Sequence, residues 1–363
     1  MFLQILLNIQ AFYVYNVGYY INLKFLFYKL IEVKLFMFDE AVHNIIKRKN
    51  KIFALCVSIF VFVFTVCRMI LTRFYMHEEV HFYTEKATVF VLSFDYIIAA
   101  CIIAIYIISF FVYKQKRESH NYSESVDCFV QGTQAQVFSA SLTGFLFVAS
   151  SVFQVYGFMN PVNSMGIEGR LPFIERFFEY LHDCPFDFII FFVSILSSIY
   201  FFKTAALNFD IGENVEQITV NLEDEDEQEI AIHKYTSAQI IFSFMPIIWS
   251  FLNVFKCFFD MSKNVNSPVR IYELLSFLVL SAYFVSESRM LVGRHETSRF
   301  FTFAYISVII VAASSLPNLI WSSFWILTTN NDQIVYAAQL AIVIYIFSRI
   351  YSQIKYGRFL LQR

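Results

Sequence analysis

Residues Lys47–Thr72 read KRKNKIFALCVSIFVFVFTVCRMILT. The cations Lys47, Arg48, Lys49 and Lys51 are followed by a run from Ile52 to Thr72 that carries a single charge, Arg68. A helix needs about 20 mostly apolar residues to cross the hydrocarbon core of a bilayer, and this run meets that length. A basic cluster ahead of a span holds that end in the cytosol. The stretch therefore predicts a transmembrane helix that starts inside, in a chain whose remaining segments have to be read as membrane segments too.

Outward from it, Ala87–Val112, Gln136–Met159, Phe186–Ala205, Ser237–Phe259, Arg270–Val292, Phe300–Leu327 and Gln333–Ser352 have the same length and character. The composition agrees. Hydrophobic types make up 58% of the 363 residues and charged types 15%, with mean hydropathy +0.57. Soluble domains carry roughly 25% charged residues. The expected fold is all-α: a polytopic transmembrane bundle of about eight spanning helices plus an N-terminal apolar helix. Met1–Leu23 is long enough to span but contains Gln4, Asn8, Gln10, Asn16 and Asn22, so spanning and lying along the surface are both open. It has no basic start and no small-residue cleavage site of a signal peptide. The expected organisation is an N-terminal segment 1–51, one membrane domain 52–356, and a short basic tail 357–363.

Basic loop ends alternate with poorer ones. Lys114, Lys116 and Arg117, then Arg289, Arg294 and Arg299, then Lys355, Arg358 and Arg363 fall on the side of Lys47–Lys51. This places the C-terminus in the cytosol of an integral membrane protein, most simply of the plasma membrane. The same topology makes 208–234 cytosolic. Its acidic run Glu223-Asp224-Glu225-Asp226-Glu227-Gln228-Glu229 reads as a solvated loop or as a docking segment for a basic partner; it lacks the glycine and ligand spacing of a calcium loop. Membrane lipids are the expected surroundings. A net charge of −2 gives no overall basic field for nucleic acid. The six cysteines contain no Cys-x-x-Cys pair, and Cys184 and Cys257 fall near one face, as a disulfide or as separate thiols.

Three kinds of polar feature interrupt the apolar pattern. His77-Glu78-Glu79-Val80-His81 matches His-Glu-x-x-His, in which imidazoles four apart share a helical face and can hold zinc; Glu85, one turn on, could be a third ligand. The same residues also read as a polar helix end at the membrane boundary, and no cofactor is otherwise expected. Charges inside spans are costly and mark pairs or pathways. Arg68 and Asp95 sit on consecutive helices at similar depth and can pair, while Glu287 and Arg289 lie close enough to a helix end to snorkel. Finally, Ser139, Thr143, Ser150 and Gln154 fall within about 60°, and Ser307, Ser314, Asn318 and Ser322 within about 80°, on a helix turning 100° per residue. Such stripes either pack helices closely or line a hydrophilic cavity. Pro246 and Pro317 can break the helices that carry them.

One resemblance emerges from particular residues. Phe145-Leu146-Phe147-Val148-Ala149-Ser150-Ser151-Val152, followed by Gln154-Val155-Tyr156, is similar to a stretch of the XK-related family, Phe-Leu-Glu-Ser/Thr-Ala-Pro-Gln-Leu then Gln-Leu-Tyr, with Phe147, Ser150 and Ser151 replacing the glutamate, proline and glutamine. Arg176-Phe177-Phe178-Glu179 with Asp183 and Pro185 offers a second placement of that stretch. Ser286-Glu287-Ser288-Arg289 resembles the family's Glu-Gly-x-Thr-Arg helix, and Arg349-Ile350-Tyr351 its final Tyr-rich helix, without the closing His-Pro. The resemblance covers roughly 135–357 and implies phospholipid scrambling, both termini in the cytosol, and about eight spans. A divergent chemosensory-type receptor, which asks for an odd span count and an outward pocket, and a small-solute transporter are the alternatives.

The topology is testable by tagging. A C-terminal tag should be reached by antibody only after permeabilisation, and Asn121, in the sequon Asn121-Tyr122-Ser123, should carry no glycan. Glycan on Asn121 would invert the orientation.

Overall fold

A computed structural model describes residues 48–76, 88–112, 133–159, 185–221, 237–259, 267–292, 297–321 and 330–356. These are almost entirely helical and contain no strand. The helices are α1 (Arg48–Tyr75), α2 (Thr88–Val112), α3 (Gln134–Met159), α4 (Pro185–Asn221), α5 (Ser237–Ser243), α6 (Met245–Phe259), α7 (Pro268–Leu291), α8 (Thr297–Trp321) and α9 (Asn330–Tyr356). α5 and α6 are halves of one span, so the described residues hold eight helices long and apolar enough to cross a membrane. The chain is an all-α, multi-pass membrane protein. Phe53–Arg358 form one compact unit; of the other, Met1–Ile52 with Phe359–Arg363, only 48–52 are described.

The burial pattern is that of a protein in lipid. Leu55, Ile59, Phe62 and Val63 on α1 and Val89, Phe90 and Ile97 on α2 are exposed, while Ser139, Thr143, Ser194, Ser197, Ser307 and Ser314 are fully buried. Lipid tails welcome the first set and cannot hydrogen-bond the second. Consecutive spans cross in opposite directions, which defines a near face, where α1 begins, and a far face, where it ends. Hydrogen bonds agree: Thr133 to Ser352 (2.8 Å) and Ser139 to Ser348 (2.7 Å) align α3 antiparallel to α9.

α3 packs on α4 and α9, α4 on α6, and α6 on α7. α8 packs on both α7 and α9, with α2 against it. The helices α3, α4, α6, α7 and α9 thus surround a common interior, and α8 backs the seam between α7 and α9. With 83% of its spanning window buried against 12% for α2, α8 is the most enclosed helix and α2 the most peripheral.

Local chemistry sets the helix ends and breaks. Ser267 caps α7 by accepting from the Arg270 N–H (3.3 Å), and Pro268 follows at the first helical position, where its missing donor costs nothing. Pro246 has no N–H, and the fifth span turns at Phe244 between α5 and α6. Ser288 of α7 donates to the Ser243 carbonyl at this break (3.1 Å), the kind of partner a broken helix needs at membrane depth. At Pro317 the helix α8 continues to Trp321, although the proline has no N–H to answer the Ala313 carbonyl. The expected loop 208–234 is also shorter than its sequence suggests, because α4 continues to Asn221. Past Ala205 it meets only Gly212 as a weak breaker, at about 1 kcal/mol. The acidic run 223–229, Cys184, Ser322 and the apolar stretch 1–23 lie outside the described residues.

Gly144 brings α3 close to α4. A Cβ there would meet the Phe202 ring at 3.0 Å, and Phe202 in turn sits edge-on to Phe145 with centroids 5.2 Å apart. Gly144→Leu should destabilise the bundle by about 1–3 kcal/mol through overpacking. Gly144→Ala should be near neutral, since about 1 kcal/mol of helix propensity offsets a small shift of the ring. Thermal unfolding in detergent checks both; equal melting for Leu and wild type would mean that this contact is slack.

Candidate functional site

The interior has three levels. At mid-depth, rings from every surrounding helix meet. Phe147 of α3 lies 4.7 Å from Trp249 of α6 and 5.3 Å from Phe201 of α4. Trp249 lies 5.5 Å from Phe277 of α7, and Phe201 lies 5.2 Å from Tyr345 of α9 and 6.1 Å from Phe284 of α7. Most of these pairs are tilted or edge-on, as ring quadrupoles prefer. They form an aromatic box that fills the interior.

On the near-face side of the box sits an ion pair. Arg349 of α9 donates from Nε to Glu287 Oε1 of α7 at 3.2 Å, with the two side chains 3% and 1% exposed. Tyr345, one turn before Arg349, bridges them: its hydroxyl donates to Glu287 Oε1 (2.6 Å) and accepts from Arg349 Nε (3.0 Å). Tyr200 of α4 and Tyr283 of α7 interact electrostatically with the same carboxylate. An ion held this far from water survives only when paired and hydrogen-bonded.

On the far-face side the character is polar, with one buried acid, Glu273. Tyr336 of α9 donates to Glu273 of α7, and Gln339 Nε2 donates to Ser276 Oγ (3.0 Å). Around this layer Ser150 Oγ (α3), Ser194 and Ser197 Oγ (α4), Trp249 Nε1 (α6) and Gln339 Oε1 (α9) are buried without a hydrogen-bond partner among the described residues. The contacts tie them to one region. Ser150 is one turn from Phe147, Trp249 itself belongs to the box, and Ser276 adjoins Phe277. Each unanswered group costs about 1–3 kcal/mol, so several such donors and acceptors on α3, α4, α6 and α9 are a feature that needs an explanation.

A third polar group lies on the flank. The Arg68 guanidinium of α1 stacks on the Tyr272 ring of α7, with Cζ 3.2 Å from the centroid, and the Tyr272 hydroxyl donates to Asp95 Oδ1 of α2 (2.7 Å). The expected Arg68–Asp95 neighbourhood is present, but Tyr272 stands between the charges.

The other suspected residues divide by role. Ser139 bonds Ser348, Thr143 the Ser139 carbonyl (2.8 Å), and Ser307 the Val279 carbonyl of α7 (2.9 Å), so these pack helices. Ser150 remains unanswered, as do Ser314 Oγ and Asn318 Nδ2 of α8, and these keep the cavity reading open. Glu287 is not an interface anchor; burial and Arg349 put it in the core, while Arg289 beside it is half-buried. His77, His81 and Glu85, and the Gln154 side chain, lie outside the described residues.

Sequence reasoning passed over Tyr272, Glu273, Tyr336, Gln339 and Tyr345, and took Arg349 only as part of Arg349-Ile350-Tyr351, not as a partner of Glu287. Glu273, Gln339 and Arg349 stand inside predicted spans, and their polarity was the available signal. The tyrosines carried none, since Tyr is common along the whole chain. No family model, curated protein or solved structure matches this chain.

The ion pair can be tested by a double-mutant cycle. Glu287→Gln and Arg349→Leu should each destabilise the bundle by about 3–5 kcal/mol, because each strands the opposite charge, and the double variant should cost less than the sum. Unfolding by mixed micelles of rising SDS content reads this. Strict additivity would show the two charges to be energetically independent.

Proposed function

We propose that this protein provides an interior pathway for a small, neutral, polar solute across the membrane. The observation that carries the reading is the ring of unanswered donors and acceptors, Ser150, Ser194, Ser197, Trp249 and Gln339, directly on the far-face side of the aromatic box. Hydroxyl, amide and indole groups suit a guest that both gives and takes hydrogen bonds and carries no charge. The aromatic box acts as the closed gate, and Glu287–Tyr345–Arg349 locks α7 to α9 beneath it. The span α5–α6 is broken at Phe244, level with Ser288 and the ion pair on the near-face side of the box, and discontinuous spans are a habit of transporters. Arg48, Lys49 and Lys51 on the near face, with Arg299 at the start of α8, favour a cytosolic near face, hence a cytosolic C-terminus, with the plasma membrane as the simplest location.

A second reading has one observation in its favour. The stretches Ser286–Arg289 and Arg349–Tyr351, which resemble segments of the XK-related family, meet in the structure at the Glu287–Arg349 pair. Lipid scrambling asks in addition for a polar groove open to the bilayer, whereas Ser139, Thr143, Ser150, Ser307 and Ser314 are buried.

Both readings can be tested in one preparation. Stopped-flow swelling of proteoliposomes with urea and glycerol should exceed that of empty vesicles. Phe201→Ala should raise the rate several-fold by opening the box, and Ser194→Val with Ser197→Val should lower it. Dithionite quenching of fluorescent phospholipid in the same vesicles reports scrambling. Swelling equal to empty vesicles for wild type and Phe201→Ala alike would sink the solute pathway; rapid loss of inner-leaflet fluorescence would replace it with scrambling.

A further inference from the structure

Beyond the central pathway, α1 presents a separate set of polar atoms to the bundle. Thr65, Arg68 and Thr72 lie within about 60° of one another on the helix. All are buried, at 4%, 2% and 4% exposure. Thr65 Oγ1, Arg68 Nε and Thr72 Oγ1 have no hydrogen-bond partner among the described residues. A threonine in a helix ordinarily satisfies its hydroxyl on the carbonyl a turn back, as Thr143 and Thr204 do here. Two that do not, flanking an arginine on one face, are out of pattern.

The geometry of Arg68 says what is missing. Stacking on Tyr272 engages the flat face of the guanidinium, whereas its N–H bonds radiate in the plane and need acceptors. The hydrogen bond that Asp95 Oδ1 accepts comes from the Tyr272 hydroxyl, and Arg68 Nε has no partner among the described residues. The opposite face of α1, at Leu55, Ile59, Phe62 and Ile70, is exposed apolar surface, so the site lies one helix thickness from lipid. Arg68 stands roughly 10 Å in from the far-face end of α1, a depth that headgroup-bearing molecules reach.

We infer that Thr65, Arg68 and Thr72 form a binding site for a phosphate oxyanion between α1 and α7. The fork of a guanidinium consumes both oxygens of a carboxylate; a phosphate accepts the fork and keeps oxygens for the flanking hydroxyls. The phosphate belongs either to a free phosphate-bearing molecule or to a lipid headgroup entering beside α1, and the two sources are separable by experiment.

Delipidated protein in neutral detergent is titrated with inorganic phosphate, followed by thermal shift. In parallel it is mixed with micelles containing phosphatidic acid, and retained lipid is read by native mass spectrometry. Saturable binding of phosphate assigns a free ligand, and retention of phosphatidic acid without phosphate binding assigns a lipid. Arg68→Gln and the near-isosteric pair Thr65→Val with Thr72→Val should each weaken the bound probe about tenfold or more. If Arg68→Gln does not fold, the threonine pair decides, since it leaves the Arg68–Tyr272 stack in place. A wild type that binds neither probe, or folded variants that bind as tightly as wild type, overturns the site and leaves Arg68 as a structural stack. Neither result bears on solute permeation through the aromatic box, which is measured separately.

Discussion

Hydrocarbon offers no hydrogen bonds, and the bundle is organised by that refusal. Every polar atom within the spans has to find a partner inside the protein. The cheapest partner is the carbonyl one turn back, used by Ser58, Ser151, Ser250, Ser281 and Ser315. The next is a neighbouring helix: Ser109 to Thr302, Ser139 to Ser348, Ser307 to the Val279 carbonyl. These bonds draw helices together where lipid tails would be indifferent to their separation. Among the described residues, polar groups left over after both recourses lie in the far-face half of the interior, on the inner face of α1, and also toward the near face at Gln136, Asn208, Tyr283, Glu287 Oε2 and Ser298. The first two places hold them as sets from neighbouring positions, which is why they attract a functional reading.

α7 carries most of the cross-links. Along its length Tyr272 reaches α1 and α2, Glu273 and Ser276 reach α9, the Val279 carbonyl receives α8, Glu287 holds Arg349, and Ser288 answers the broken span at Ser243. A rigid shift of this helix would change the flank, the gate and the ion pair together. Packed interfaces switch between discrete arrangements rather than deforming smoothly, so α7 is the element whose displacement can couple them.

The architecture could be read from composition because a span is defined by length and apolarity, which are properties of one segment at a time. Charge within a span is equally local, and it singled out Arg68, Asp95 and Glu287. Partnership is not local. Nothing near Glu287 in the sequence points to Arg349, and α7 and α9 are parallel helices separated in sequence by α8. The Tyr272 ring could not be anticipated between Arg68 and Asp95 for the same reason. The stripes of α3 and α8 were ambiguous because periodicity gives a face without its neighbour: Ser139 and Ser307 proved to be contacts, while Ser150 and Ser314 on the same faces remain unanswered. Helix breaks did not follow from proline alone, since the fifth span turns at Phe244 ahead of Pro246 while α8 runs on through Pro317.

The order of the interior levels argues for the charge of whatever uses them. Moving a charge through a ring-lined, low-dielectric segment costs several kcal/mol unless a counter-charge moves with it or waits at each level. Beyond the box toward the near face, Glu287 and Arg349 neutralise each other, so no net countercharge waits there. On the far-face side the unanswered atoms of Ser150, Ser194, Ser197, Trp249 and Gln339 are uncharged. A neutral guest trades its water for these groups and crosses the rings at the cost of a few hydrogen bonds, within reach of thermal motion once the aromatic side chains part. On the proposed pathway a charged guest would meet no countercharge in the rings, a self-neutralised pair beyond them, and on the far-face side the single acid Glu273, already engaged by Tyr336, so the rings would favour the neutral guest.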